Sequence, residues 1–187
     1  MEKTFYIKNM VCDRCIKVLR NEIRDENIKV LTVRLGELAV DISSENEVSK
    51  IQKIVESNGF FLIDDNNLKL VEQTKITLIS LFEHLPLVDK NLSEIITDKL
   101  KQEYSKVSKI FSYNEKITLE KYFIKLKVEK AKELIHNRDL NFTKISRLLN
   151  YSNLTHLSNQ FKAETGMSLT EYKAMEKNFR NPLDQII

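Results

Sequence analysis

Apolar and polar positions change period several times along the chain, and each change predicts an element. Thr4 to Lys8 (TFYIK) has the aromatic and β-branched character of a strand. From Cys15 to Arg24 the apolar positions Ile16, Leu19 and Ile23 fall three and four apart, which is the spacing of one helical face. Val30 to Arg34 and Leu38 to Ile42 read as two more strands. Between them lies Leu35-Gly36-Glu37, a short hairpin connection with a glycine available for positive φ. Ser44 is placed to cap a second helix, with Val48, Ile51, Ile54 and Val55 as its buried stripe and Asn58-Gly59 as its end. Phe60 to Asp64 (FFLID) is a fourth strand.

The order βαββαβ predicts a ferredoxin-like sandwich, two helices on an antiparallel sheet. Beyond it the pattern turns helical. Leu68 to Gln73 reads as a short junction, and the helix that follows carries two apolar stripes: Ile76, Ile79 and Phe82, then Leu78, Leu81 and Leu85. It ends before Pro86. Ser93 can cap a helix holding Ile95, Ile96 and Leu100. Tyr104 to Phe111 then turns Val107, Ile110 and Phe111 inward and Ser105, Lys106 and Lys109 outward. Leu119 to Ile135 is one helix of about 17 residues, roughly 25 Å long.

The last patterned stretch is Asn141 to Tyr172. Thr143 can cap a helix with Ile145, Leu148 and Leu149 on one face, and Asn150 tolerates the left-handed backbone that ends it. Ser152 opens a second helix, which buries Leu157 and Phe161 while Asn153, Thr155, His156, Asn159 and Lys162 stay polar. Gly166 stops it, and a shorter helix follows. Two short helices around a tight turn, the second presenting amides, hydroxyls, an imidazole and a lysine, have the shape that fits a DNA major groove.

This unit has a fainter copy upstream. Val107-Ser108-Lys109-Ile110-Phe111 matches Leu157-Ser158-Asn159-Gln160-Phe161 in an apolar-Ser-x-x-Phe frame, and Ile117 to Tyr122 echoes Met167 to Tyr172. The chain is therefore expected to be α+β. Residues 1–68 form the sandwich, and residues 69–187 form an all-α domain with helix-turn-helix units at about 91–122 and 141–172. A connecting helix of 25 Å plus the bodies of the two units would hold both readers on one face of a duplex whose successive major grooves lie about 34 Å apart.

Charge sharpens the division. Residues 1–89 carry 12 Lys/Arg against 15 Asp/Glu, about −3, whereas residues 90–180 carry 18 against 11, about +7. The basic half favours a polyanionic partner. No apolar run approaches the roughly 18 residues of a membrane span and the first residues lack a signal-peptide core, so a cytoplasmic location with no membrane partner is expected.

The two cysteines, Cys12 and Cys15, lie between the first strand and the first helix. In a cytosolic setting such a pair points to metal or redox chemistry rather than a structural staple. Thiolates are favoured at a helix N-terminus, and two of them suit a soft ion of low coordination number, above all Cu(I). A closed zinc site needs about four ligands, and His84, His136 and His156 are all remote in sequence. A dithiol redox switch is the competing reading. Thioredoxin-type catalysis is disfavoured by the absence of Trp and by the element order. Met10-Val11-Cys12-Asp13-Arg14-Cys15 resembles the M-x-C-x-x-C motif of heavy-metal-associated domains of copper chaperones and metal-pumping ATPases, over about residues 3–65. The resemblance implies an inward methionine and an ion held by Cys12 and Cys15. It departs from the motif at Val11, where a small polar residue is usual.

Residues 72–176 resemble the DNA-binding domain of AraC/XylS-type transcription regulators. The likeness rests on Ile145, Tyr151-Ser152-Asn153, Leu157-Ser158, Phe161-Lys162, Thr165-Gly166-Met167-Ser168 and Tyr172, and more weakly on Phe111, Ile117, Tyr122 and Lys127 to Ala131. Ser146, Asn150 and Leu169 replace the usual Ala, Gly and Pro. The resemblance implies that Ser105, Lys106 and Lys109 face one groove segment and Asn153, Thr155, His156 and Asn159 the next, with Lys162 beside them. The expected protein is a non-enzymatic, sequence-specific DNA-binding regulator that responds to a soft metal ion. Binding of the ion would order the cysteine loop and bias domain placement or dimer formation. Double-stranded DNA, a second copy of the chain and RNA polymerase are its expected partners. Two alternatives remain open: a thiol-redox-responsive regulator, and a metal-trafficking protein whose helical half docks an acidic partner.

Overall fold

The computed structural model describes residues 1–137 and 140–175, together with Asn181 and Ile186. The chain forms two compact units, Met1–Ile76 and Thr77–Ile187.

The first unit runs β1 (Glu2–Lys8), α1 (Asp13–Asp25), β2 (Lys29–Arg34), β3 (Glu37–Asp41), α2 (Glu45–Ser57) and β4 (Phe61–Ile63). The strands form one antiparallel sheet in the order β2-β3-β1-β4. The inward positions of β1, Phe5 and Ile7, pack with Leu19 and Ile23 of α1 and Ile51 and Val55 of α2, all buried. Alternation along the strands and three-to-four spacing along the helices thus converge on one core. Leu31 is an extra residue in β2: Val30 pairs with Val40 and Thr32 with the adjacent Ala39, a β-bulge that simple alternation did not indicate.

Gly36 turns the β2–β3 hairpin at φ +72°, and an added Cβ there would lie 2.5 Å from the Ile76 side chain. Glycine is required on both counts. The neighbour belongs to α3 (Asn66–Ser80), and this corrects one expectation. Leu68 to Gln73 is not a junction but part of that helix, because Asp65 Oδ1 accepts from the amides of Asn67 and Leu68 at 2.8 and 2.9 Å and opens the helix early. The division between the units consequently falls inside α3, beyond the expected break at 68/69.

The second unit continues with a 3-10 turn (Leu81–Glu83), then α4 (Leu92–Leu100), α5 (Tyr104–Glu115), α6 (Leu119–Ile135), α7 (Phe142–Leu148), α8 (Leu154–Thr165) and α9 (Leu169–Ala174). Leu134, Ile135, Ile145, Leu149, Leu157, Phe161, Leu169 and Tyr172 form the centre of its core. The helices begin at asparagines where other residues were expected. Asn91 rather than Ser93 caps α4, Asn141 rather than Thr143 caps α7, and Asn153 rather than Ser152 caps α8. In each case the asparagine Oδ1 accepts the amide three residues on, at 2.8–2.9 Å. Two capping-type residues stand within two positions at each start, and only the tertiary frame selects between them. Among the described residues, no helix is long and apolar enough to cross a membrane.

Candidate nucleic-acid interface and the cysteine pair

The two halves of the second unit repeat each other fifty residues apart in detail. Asn91 and Asn141 cap the first helices. Val107 and Phe111 of α5 are buried, as are Leu157 and Phe161 of α8. Each of these second helices ends in a left-handed residue, Lys116 at φ 61° and Gly166 at φ 76°. Thr118 then caps α6 and Ser168 caps α9, with hydroxyls accepting from Lys121 N at 3.1 Å and Glu171 N at 3.2 Å. Tyr122 lies 5.3 Å from Phe111, and Tyr172 lies 5.3 Å from Phe161, centroid to centroid.

Burial of one face fixes the other outward. On α5, Ser105, Lys106 and Lys109 are all exposed, and the same three-and-four spacing continues to Ser112 and Lys116. On α8, Thr155, His156, Asn159 and Lys162 are exposed at the matching positions. Asn153 precedes the helix, and its side-chain oxygen is committed to the cap. His156 is held in place: Nδ1 lies 3.2 Å from Ser152 Oγ, and the ring meets Tyr151 edge-on at 5.2 Å.

Sequence reading passed over two outward residues. Tyr113 is 75% exposed, seven residues beyond Lys106. Lys116 places Nζ 4.7 Å from the Tyr113 ring centroid and donates to the Tyr113 carbonyl at 2.7 Å. Extending the helical spacing past Lys109 would have found both; they were passed over because the helix was read only from Tyr104 to Phe111, whereas α5 runs on to Glu115.

The turn between α7 and α8 explains two departures from the expected pattern. Asn150 has φ 50°, the left-handed conformation that glycine adopts most easily, and its Nδ2 donates to the Val88 carbonyl at 3.2 Å and to Asp89 Oδ1 at 3.4 Å. Asparagine therefore supplies both the backbone freedom and a tie to the 84–90 loop, which is also anchored by Leu87 N–H on the Leu148 carbonyl at 2.8 Å. Ser146 is buried and returns its hydroxyl to the Thr143 carbonyl at 2.9 Å. Behind the turn, Lys127 of α6 places Nζ between the rings of Tyr151 (4.7 Å) and Phe123 (5.1 Å), where burial pushes its pKa down to about 8.

Residues 96–175 match the helix-turn-helix domain family. No curated protein matches the chain. Among solved structures, the C-terminal domain of AraT, a response regulator from Geobacillus stearothermophilus, is similar at 21% identity and a TM-score of 0.49; the match covers 60% of this chain and 91% of that one.

In the first unit, Cys12 is the N-cap of α1 and Cys15 lies in its first turn, so the helix opens at Asp13, two residues before the expected start at Cys15. The Cys12 carbonyl accepts from Cys15 N–H at 3.0 Å, and the two sulfurs lie 3.5 Å apart. Their environments pull them in opposite directions. Partial burial raises the Cys12 pKa, but the Cys15 amide and thiol, with Arg14, outweigh it and hold Cys12 below the ordinary thiol range. Burial and the neighbouring Cys12 sulfur push Cys15 up. Cys12 is exposed and Cys15 half-buried, while Met10 is fully buried beneath the loop. Among the described residues, no group of three or more His, Cys, Asp or Glu is placed to share a metal ion. The two sulfurs could hold a soft ion of low coordination number, whereas a closed zinc site would need about four ligands. The loop is tied at its base: Asn9, at φ 74°, donates its amide to Glu72 Oε1 of α3 at 2.9 Å.

Proposed function

We propose that the chain is a sequence-specific, non-enzymatic DNA-binding transcription regulator of the AraC type, with α5 and α8 as its two DNA-facing helices. The observation that carries this is the fifty-residue structural repeat. Two helix-turn-helix units present outward polar faces at equivalent positions, within a region that matches the helix-turn-helix domain family. A basic second half supports it, since phosphate attraction supplies much of the affinity of any DNA-binding protein. The DNA contacts proposed are those of Ser105, Lys106, Lys109, Asn153, Thr155, His156, Asn159 and Lys162.

The first unit, in this reading, is a ferredoxin-like module of the heavy-metal-associated kind that takes a soft metal ion, Cu(I) first, on Cys12 and Cys15. A bound ion supplies a strong soft-acid bond to two thiolates. The chain's own part is to favour thiolate at Cys12 and to fix the loop between buried Met10 and the Asn9–Glu72 bond. The ion alters DNA affinity to the extent that it binds two states of the chain unequally. The opposite pKa directions of two sulfurs 3.5 Å apart also favour a second reading, in which oxidation of the pair is the signal.

The test is selection of bound sequences from a random duplex pool, with metal-free protein and with Cu(I)-loaded protein under reducing conditions. A defined preferred sequence is expected, with an affinity that changes on Cu(I) loading in wild type but not in Cys12→Ser/Cys15→Ser. Equal affinity for selected and random duplexes would refute DNA reading. A response to oxidant but not to Cu(I) would replace the metal signal by the redox one.

A further inference from the structure

The two outward faces are equivalent in position but not in chemistry. The α5 face carries three ammonium groups, Lys106, Lys109 and Lys116, with the exposed Tyr113 ring among them. A carboxamide just ahead of the helix, that of Gln102, accepts from Lys106 Nζ at 2.9 Å. An ammonium on a flexible stem is a point charge without a fixed donor fork, suited to phosphate oxygens more than to one base edge. Tyr113 adds an aromatic face and a hydroxyl, kept outward by the Lys116 ammonium over its ring. At the start of the same helix stands Glu103, an exposed carboxylate whose side chain makes no capping bond, so the cationic stretch is confined to Lys106 through Lys116.

The α8 face is the reverse. Its positions hold Thr155, His156 and Asn159, with one cation, Lys162, toward the far end. Ala163 and Gly166 stand where α5 has Tyr113 and Lys116. The Asn159 amide can pair bidentately with adenine. Reading a base edge demands fixed side-chain geometry, and this end of α8 is fixed: Asn153 caps it at 2.8 Å, and Ser152 and Tyr151 hold the His156 ring.

We infer that the two units divide the work, α5 gripping the sugar-phosphate backbone through Lys106, Lys109, Tyr113 and Lys116, and α8 reading bases through Thr155, His156 and Asn159. This rests on the DNA-binding reading above and goes beyond it by assigning each head a different part of the duplex.

The experiment uses the full chain on the duplex selected from the random pool and on a random duplex of equal length. Lys109→Gln and Lys116→Gln are each expected to reduce the slope of log affinity against log salt by about 0.9 and to weaken both duplexes by the same factor. Tyr113→Ala is expected to weaken both alike. Asn159→Ala is expected to leave the slope unchanged and to lower preference for the selected sequence on the order of tenfold. A changed sequence preference in Lys109→Gln or Tyr113→Ala would overturn the division. So would an unchanged preference in Asn159→Ala. If no preferred sequence emerges from the pool, the DNA-reading proposal itself falls, a result distinct from either of these.

Discussion

The Phe161 ring meets the Tyr172 ring edge-on, centroids 5.3 Å apart and planes at 76°. Both side chains are buried, and they lock α8 to α9 behind the outward face. Phe111 and Tyr122 make the corresponding contact, tilted at 42°, behind α5. Truncating either phenylalanine leaves a cavity that close-packed neighbours fill only in part. Phe161→Ala and Phe111→Ala are each expected to destabilise the second unit by about 3–5 kcal/mol. Urea unfolding followed by far-UV circular dichroism measures this; a loss below 1 kcal/mol for either would mean that its ring is not a packing element.

Asn150 offers a sharper test of backbone conformation. Alanine at φ 50° meets the left-handed penalty of about 1–2 kcal/mol and also loses the amide donors to Val88 and Asp89. Glycine removes the strain but not the loss of the amide. Asn150→Ala is expected to lower the unfolding midpoint clearly, and Asn150→Gly less so. Equal midpoints would show that the lost side-chain tie outweighs the turn, and the reverse order would show that alanine meets no left-handed penalty here.

Lys127 gives the second unit a pH signature. Burial holds its pKa at about 8, below the ordinary 10.5, so the folded state disfavours its charge. Between about pH 8 and 10.5 the unfolded chain binds this proton and the folded chain does not, so stability from this group rises with pH across that window. Below pH 8 the full penalty applies, offset in part by the Phe123 and Tyr151 rings. Lys127→Met is expected to stabilise the protein at pH 7 by about 1–3 kcal/mol. The difference from wild type should shrink as pH rises to 10.5. Thermal unfolding of both proteins at pH 7, 9 and 10.5 reads it directly, and a pH-independent difference would exclude the buried charge as its cause.

The cysteine pair predicts selective chemistry. Cys12 is exposed and held below the ordinary thiol range, whereas Cys15 is half-buried and pushed above it. Iodoacetamide at neutral pH should alkylate Cys12 first, as located by peptide mass spectrometry. Cys15→Ala removes a hydrogen bond that favours the Cys12 thiolate, and should slow Cys12 alkylation and shift its rate profile to higher pH. Faster labelling of Cys15 than of Cys12 would invert the assignment.

Much of this architecture was legible before any coordinates, for reasons visible at particular residues. The span Leu119 to Ile135 was read correctly because seventeen residues of unbroken helical spacing lie between Thr118 and His136. Gly36, Asn150 and Gly166 marked left-handed turns through their tolerance of positive φ. The helix starts were less readable: Asn91 competes with Ser93 and Asn153 with Ser152, all good capping residues, and the winner depends on which amide the folded frame brings within reach. The bulge at Leu31 and the early start of α3 at Asn66 depend on pairing register and on the Asp65 side chain, neither of which leaves a periodic trace. Tyr113 was missed because the helix was expected to end at Phe111, while α5 continues to Glu115 and carries the exposed ring outward.

The helix α6 is held at both ends by rings: Tyr122 against Phe111 near its start, and His136, at its C-cap, 5.6 Å from Tyr172. A strut fixed in this way sets phase as well as distance. Each residue added to it would turn the helix-turn-helix that follows α6 by about 100° relative to the one before it while advancing it about 1.5 Å. A single insertion near Lys130 would therefore leave both helix-turn-helix units folded but aim them at different sides of a duplex. If the chain binds DNA as proposed, the offset between the stretch that α5 grips and the bases that α8 reads is set by the length of one helix, and changing that length by one residue would change which face of a duplex each head meets.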